Sequence, residues 1–152
     1  MAYEISASHV TAHYVAAVSA RVNLDRVADS FRGPLDKVWA FLSNHPGLRT
    51  DGHNVFFYHH DTMSGRMETV DFGVQVTRAF ADEGEVRCIE TPAGSVVSTL
   101  HRGPYNLIGE AHQAMRRWLH ENNKRSSCSW EIYGDWTDDP SKLETTIVYL
   151  LA

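Results

Sequence analysis

The chain has 152 residues, of which 43% are hydrophobic, 11% aromatic and 22% charged, a composition that argues against disorder and for one globular domain. The formal net charge is −5, from 14 Lys and Arg against 19 Asp and Glu. That balance argues against direct nucleic-acid binding, because backbone phosphates demand a basic face, and no run of like charge suits a membrane surface. Cys88 and Cys128 match no metal-ligand spacing and read as reduced structural thiols. Met1 to Val10 has no basic or apolar signal region, and no apolar run is long enough to span a bilayer. A cytoplasmic protein is expected.

In chain order, Ile5 to Ala20 reads as a first strand and Asn23 to Ser30 as a short helix or loop. Gly33-Pro34 opens a segment with Leu35, Val38, Trp39 and Leu42 apolar, the stripe of an amphipathic helix. Asn44, Pro46 and Gly47 end it, and Arg49 to Asn54 is turn-like. Val55 to Tyr58 reads as a strand, Ser64-Gly65 as a turn, and Thr69 to Phe80 as a strand with Val70, Phe72, Val74 and Val76 on one face. After a turn at Asp82-Glu83-Gly84, Glu85 to Glu90 is a short strand. Thr91 to Gly94 is a loop and Ser95 to His101 a strand. Gly103-Pro104-Tyr105 opens the longest helix, whose stripe is Ile108, Ala111, Met115, Trp118 and Leu119, with His112 beside it and a stop at Asn122-Asn123. Trp130 to Tyr133 is a strand, Asp138-Asp139-Pro140 a loop, and Thr145 to Leu151 the closing strand.

The two halves share one order of elements. Arg32-Gly33-Pro34 answers Arg102-Gly103-Pro104, Val55–Tyr58 answers Trp130–Tyr133, and Met67-Glu68-Thr69 answers Leu143-Glu144-Thr145. Three matches in the same order indicate a duplication. The expected fold class is α+β: two β-α-β-β modules, about residues 1–82 and 83–152, with mostly antiparallel strands and helices on one side. Alternation along the Trp130–Tyr133 strand puts Glu131 and Tyr133 on one face. Pseudo-symmetry would set Phe56 against Glu131 and Tyr58 against Tyr133.

Pro92-Ala93-Gly94, Arg102-Gly103-Pro104-Tyr105, Trp118 and Glu131-Ile132-Tyr133, in this order, resemble the GyrI-like small-molecule-binding superfamily. That group includes effector domains of AraC-type and MerR-type multidrug regulators and stand-alone gyrase-inhibitor-like proteins. The resemblance covers the second half closely and reaches the first through the repeat. It implies a central pocket between two modules, lined by aromatics and holding a glutamate, for flat, often cationic, hydrophobic compounds. It carries Glu131 and Tyr133 into that pocket, with Tyr105 in a less defined role. It also implies that some stand-alone relatives hydrolyse electrophilic, cyclopropane-bearing toxins. No DNA-binding helix-turn-helix precedes the domain in this sequence, which argues against direct transcriptional control.

Without the resemblance, Glu131 could be an exposed strand residue or half of a structural ion pair, and Tyr133, Tyr58 and Phe56 ordinary core aromatics. Phenol hydroxyls want partners, which suits a pocket edge. Trp39 could pack the core or cap the pocket, Trp118 reads as core, Tyr105 could pack the helix start, and Trp136 is a lid or a plain surface ring. The candidate ligand-binding set is Glu131, Tyr133, Tyr58, Phe56, Trp39 and Tyr105; Glu131 and Tyr133 are the catalytic pair if there is an enzyme. No metal or cofactor is expected. His59-His60-Asp61 is the densest cluster among the nine histidines, but adjacent strand residues face opposite ways, so a solvated turn is the reading. His101 reads as a structural histidine, and there is no nucleophile elbow or phosphate loop. The expected function is binding of a hydrophobic, cationic or neutral small molecule. The alternatives are a hydrolase using Glu131 as general acid or base, and an inhibitory protein-interaction module.

Overall fold

The computed structural model describes residues 3–61 and 66–152, with residues 50–52 described by their backbone. Among these residues the strands are β1 (Ser6–Val10), β2 (Tyr14–Asn23), β3 (Arg49–Tyr58), β4 (Met67–Val76), β5 (Arg87–Glu90), β6 (Gly94–Arg102), β7 (Ser129–Tyr133) and β8 (Glu144–Leu150). The helices are α1 (Val27–Ser30), α2 (Arg32–Ser43) and α3 (Ile108–Glu121). The turn expected at Ser64-Gly65 lies outside the described residues. The chain divides into two compact units, residues 12–91 and residues 1–11 with 92–152. The fold is α+β with antiparallel strand pairing, as the periodicities require. No described helix is long and apolar enough to cross a membrane.

In the unit of residues 12–91 the strands run in the order β3-β4-β2-β5. Val70, Phe72, Val74 and Val76 share one face of β4 and are all buried. Phe56 lies opposite Phe72 in the ladder, and the two rings meet edge to face at 4.8 Å. Phe31, at the α1–α2 junction, packs on Phe56 at 5.7 Å, which marks this face as the helix side. Helix α2 packs on β2 and β4 and buries Leu35, Val38, Phe41 and Leu42. Pro34 sits in its first turn, where a missing N–H costs nothing. At Gly73, β4 lies close against β2. A Cβ there would fall 2.5 Å from the Ala16 carbonyl oxygen and 2.6 Å from Val15 Cγ1.

In the other unit the order is β1-β6-β8-β7. Helix α3 lies on β6 and β8. Its stripe residues Ile108, Ala111, Met115 and Leu119 close a core with Val97, Ile147 and Tyr149, and Trp118 packs partly buried against it. A 3-10 turn, Tyr105–Leu107, precedes the helix proper. Gly103 holds a φ of 140° between β6 and that turn, a conformation that favours glycine.

Four expectations are corrected. The single strand expected over Ile5 to Ala20 is two strands in different units, parted at Thr11–His13 without glycine or proline. Arg49 to Asn54 is not a turn but the start of β3, whose register with β4 shifts between Arg49 and Asn54. The strand expected to reach Phe80 ends at Val76, where the chain bends and Arg78 turns back to the Gly47 carbonyl at 3.0 Å. The boundary expected near residue 82 falls after residue 91, because β5 pairs with β2, and β1 joins the later strands by pairing with β6.

The repeat is visible within each unit, with one adjustment. Pairing sets Glu131 opposite Ile147 and Phe56 opposite Phe72. Thr145 therefore corresponds to Val70, one residue from the Thr69 suggested by sequence. Replacing Gly73 with Ala is expected to cost about 1–3 kcal/mol or more, since backbone on β2 must move. A lowered urea midpoint at unchanged slope would be the observation; an unaltered midpoint would contradict the close approach.

Candidate functional site

Strand β7 has Ser129, Glu131 and Tyr133 on one face and Trp130 and Ile132 on the other, by simple alternation. Glu131 stands opposite Ile147, a core residue beneath α3, so its face is the helix face. Glu131 is 3% exposed. A buried carboxylate demands partners, and the helix supplies one. His112 lies one turn after Ile108 and one turn before Met115, within the buried stripe of α3. Its Nε2 is 2.6 Å from Glu131 Oε2, and its Nδ1 is 2.7 Å from the Tyr149 hydroxyl. The Tyr133 hydroxyl donates to Glu131 Oε1 at 2.7 Å. Tyr105 meets the Tyr133 ring edge-on at 5.3 Å, and at 39% exposed it carries the aromatic surface outward.

The proton arrangement follows from acidity. Burial, foremost, pushes the Tyr149 hydroxyl up to about 12; the Glu131 charge adds to this, while Arg116 pulls the other way. Tyr149 is therefore a neutral phenol at neutral pH and can donate to Nδ1 of His112. A neutral imidazole then carries its proton on Nε2 and donates to Glu131. The cluster is a wired row, from Tyr149 through His112 to Glu131, with Tyr133 closing on the second oxygen. It can present negative charge beside aromatic rings, or pass a proton between carboxyl and imidazole.

The structure thus brings Glu131, Tyr133 and Tyr105 together. The other candidates belong to residues 12–91. Phe56 is buried against Phe31 and Phe72. Tyr58 is buried two positions further along the same face of β3. Trp39, half-buried on α2, lies under the Arg49 guanidinium at 4.8 Å, a cation–π contact. Trp136 is 75% exposed.

His112 and Tyr149 were not among the sequence candidates. The signal for them was present: a titratable residue inside an apolar helical stripe, and a tyrosine alternating with Ile147 on the strand paired with β7. Two further buried acids, Glu68 and Asp71, were also missed. Asp71 on β4 is buried, accepts a hydrogen bond from the Ser19 hydroxyl, and lies 2.7 Å from His59 Nε2. The cluster read as a solvated turn is therefore tied down at His59. Asp61 beside it is lowered to about 2, chiefly by the Thr69 hydroxyl. His101 is buried between the Tyr3 hydroxyl at 2.9 Å and the Pro104 carbonyl at 3.0 Å. Cys88 and Cys128 are free thiols, and burial pushes the Cys128 thiol up. No group of three metal-ligating side chains exists among the described residues.

Two surface clefts stand apart from this chemistry. One, of about 390 Å³, runs between Phe41, Leu48, Arg78 and Phe80. The other, of about 440 Å³, lies over Tyr3, Ser98, Leu100 and Thr146. Neither is lined by Glu131, and neither holds a comparable set of buried, bonded ionisable groups.

The family of the GyrI-like small molecule binding domain matches residues 4–151, essentially the whole described chain. The chain belongs to that family. The domain is similar in structure to the EcmrR C-terminal domain, at 19% identity, with 100% of this chain and 99% of that one covered and a TM-score of 0.81. It is similar to SAV2435 bound to tetraphenylphosphonium, at 9% identity, 100% and 94% coverage and a TM-score of 0.71. It is also similar to a hydrolase from Listeria innocua, at 13% identity, 98% and 92% coverage and a TM-score of 0.66. At these identities the likeness is one of fold. No curated protein sequence matched the chain.

The buried phenol of this GyrI-like domain makes a stability prediction. Tyr149 ionises near 10.0 when unfolded and near 12 when folded, so the folded state holds the proton more tightly. Its contribution is complete below about pH 10 and is lost as pH rises toward 12, a fall of about 2–3 kcal/mol. Urea denaturation across that range should show this fall in the wild type and a shallower one in Tyr149→Phe. Parallel profiles would contradict the buried, neutral assignment.

Proposed function

We propose that this chain binds hydrophobic organic cations, with Glu131 as the buried negative charge and Tyr133 and Tyr105 as adjoining aromatic surface. The observation that carries the reading is the 3% exposure of a strand carboxylate whose oxygens are both held by hydrogen bonds among aromatic rings. Such a carboxylate acts in a medium of low dielectric, where its field on a nearby cation is far stronger than in water. Aromatic faces attract the same charge through their quadrupoles. Family membership makes a small molecule the expected class of ligand. The phosphonium bound to SAV2435, a permanent cation carrying four phenyl rings, combines the two features this site complements.

A second reading is favoured by one distance. The 2.6 Å between His112 and Glu131 lets a carboxyl group exchange its proton with an imidazole, as a general acid or base must. In that reading Glu131 takes a proton from water as the water oxygen bonds the electrophilic carbon, the strained ring bond breaks onto its leaving atom, and Glu131 returns the proton to that atom, with Tyr133 stabilising the charge that develops. Incubation with strained-ring electrophiles separates the readings, because turnover yields water-addition products. Equal rates for wild type and Glu131→Ala would end the hydrolase reading.

For binding, calorimetric titration with tetraphenylphosphonium is expected to show affinity that Glu131→Gln lowers by about tenfold or more, the worth of at least one charge interaction of roughly 1.4 kcal/mol. The same substitution should change the affinity of a neutral aromatic of similar size far less. Unchanged cation affinity in Glu131→Gln would remove Glu131 from the role.

A further inference from the structure

We propose that His112 sets the net charge of the Glu131 site, so that capture of an organic cation is coupled to release of a proton from this imidazole. The inference rests on the cation-binding reading and adds a regulator to it. His112 is the partner that can change the sign of the balance. When its ring is neutral, the pair carries one negative charge; when its ring is protonated, the pair is an ion pair with no net charge. Glu131 Oε2 lies 2.6 Å from Nε2, and the two side chains are only 4% and 15% exposed, so each feels the other with little screening. An incoming cation competes with the imidazolium for the same carboxylate and repels it. The two positive charges therefore exclude one another, and by linkage the cation binds more tightly as pH rises.

Glu131 from β7 and Tyr149 from β8 both meet the His112 ring, and Tyr133 meets Glu131. Phenols ionise far above the range in which imidazoles change charge. On its own helix, Arg116 interacts with the Tyr149 hydroxyl and keeps its charge at all relevant pH. Tyr149 supports the neutral ring by offering its O–H to Nδ1, which fixes the remaining proton on Nε2 toward Glu131.

The test uses the whole chain and tetraphenylphosphonium as the probe, titrated calorimetrically between about pH 5 and 8 in buffers of low and high ionisation enthalpy. Affinity should rise about tenfold or more across the range, and the apparent heat should depend on the buffer, reporting a released proton. Triphenylphosphine oxide, a neutral analogue, should show no such slope. In His112→Gln the slope and the buffer-dependent heat should both vanish, whatever affinity remains. A wild-type affinity that is flat with pH, or a slope that persists in His112→Gln, overturns the proposal and leaves the binding reading standing. Absence of cation binding at every pH overturns both. Ring-nitrogen NMR of the wild type gives a second measurement that needs no variant: saturating cation should move the His112 titration to lower pH, and an unmoved titration overturns the coupling.

Discussion

A carboxylate buried on a strand is the constraint from which the rest of the residue 92–151 architecture follows. Leaving Glu131 ionised without partners would cost several kcal/mol. Its two oxygens are instead met by His112 from above and Tyr133 from along the strand. That requirement fixes α3 against β7 and β8. A slide of the helix by one turn, about 5.4 Å, would carry His112 away from both Glu131 and Tyr149. The apolar residues Ile108, Met115 and Leu119 would accept several registers against a flat core; the polar row accepts one. Tyr149, buried beside Ile147, ties the same imidazole to β8, so strand register and helix register are set together.

Elements with strong local periodicity were legible in the sequence. The stripes of α2 and α3, the apolar face of β4 and the alternation of β7 all follow from spacing alone. What escaped was information that local pattern does not carry. β1 and β2 are joined by Thr11-Ala12-His13, which contains no turn residue, and only pairing with β6 on one side and β4 on the other separates them. Asp51-Gly52 has the composition of a turn, yet the chain continues there as β3, the irregularity appearing as a shift of register rather than a reversal. The one-residue slip in the repeat has the same origin. Similar letters aligned Thr145 with Thr69, whereas the ladder aligns it with Val70, because pairing partners and not residue types define equivalence in a sheet.

For the site, only one side of each contact was legible in the sequence. Glu131 and Tyr133 were readable because alternation forces them onto a common face. Their partners lay on other elements, at distances of 19 residues for His112 and Glu131 and 37 for His112 and Tyr149, beyond any local periodicity. Each was nevertheless marked as an inconsistency with its surroundings: a histidine inside a buried stripe, a tyrosine in an apolar strand. Asp71, between Val70 and Phe72, is the same kind of mark. Places where local rules fail are where function or strain is expected.

Two of the buried acids, Glu131 and Asp71, share a plan and differ in setting. Each carboxylate meets an imidazole and a hydroxyl, His112 and Tyr133 for Glu131 and His59 and Ser19 for Asp71. Asp71 points to the face of β4 away from Phe72 and the helices, by alternation. Its imidazole is 40% exposed, against 15% for that of Glu131. Water around His59 screens its interaction with Asp71. His112 is enclosed by β7, β8 and its own helix, where the same 2.6–2.7 Å contact acts with much less screening. Identical chemistry thus yields an anchor for the end of β3 in one unit and a strongly coupled pair in the other, and burial rather than residue type makes the distinction.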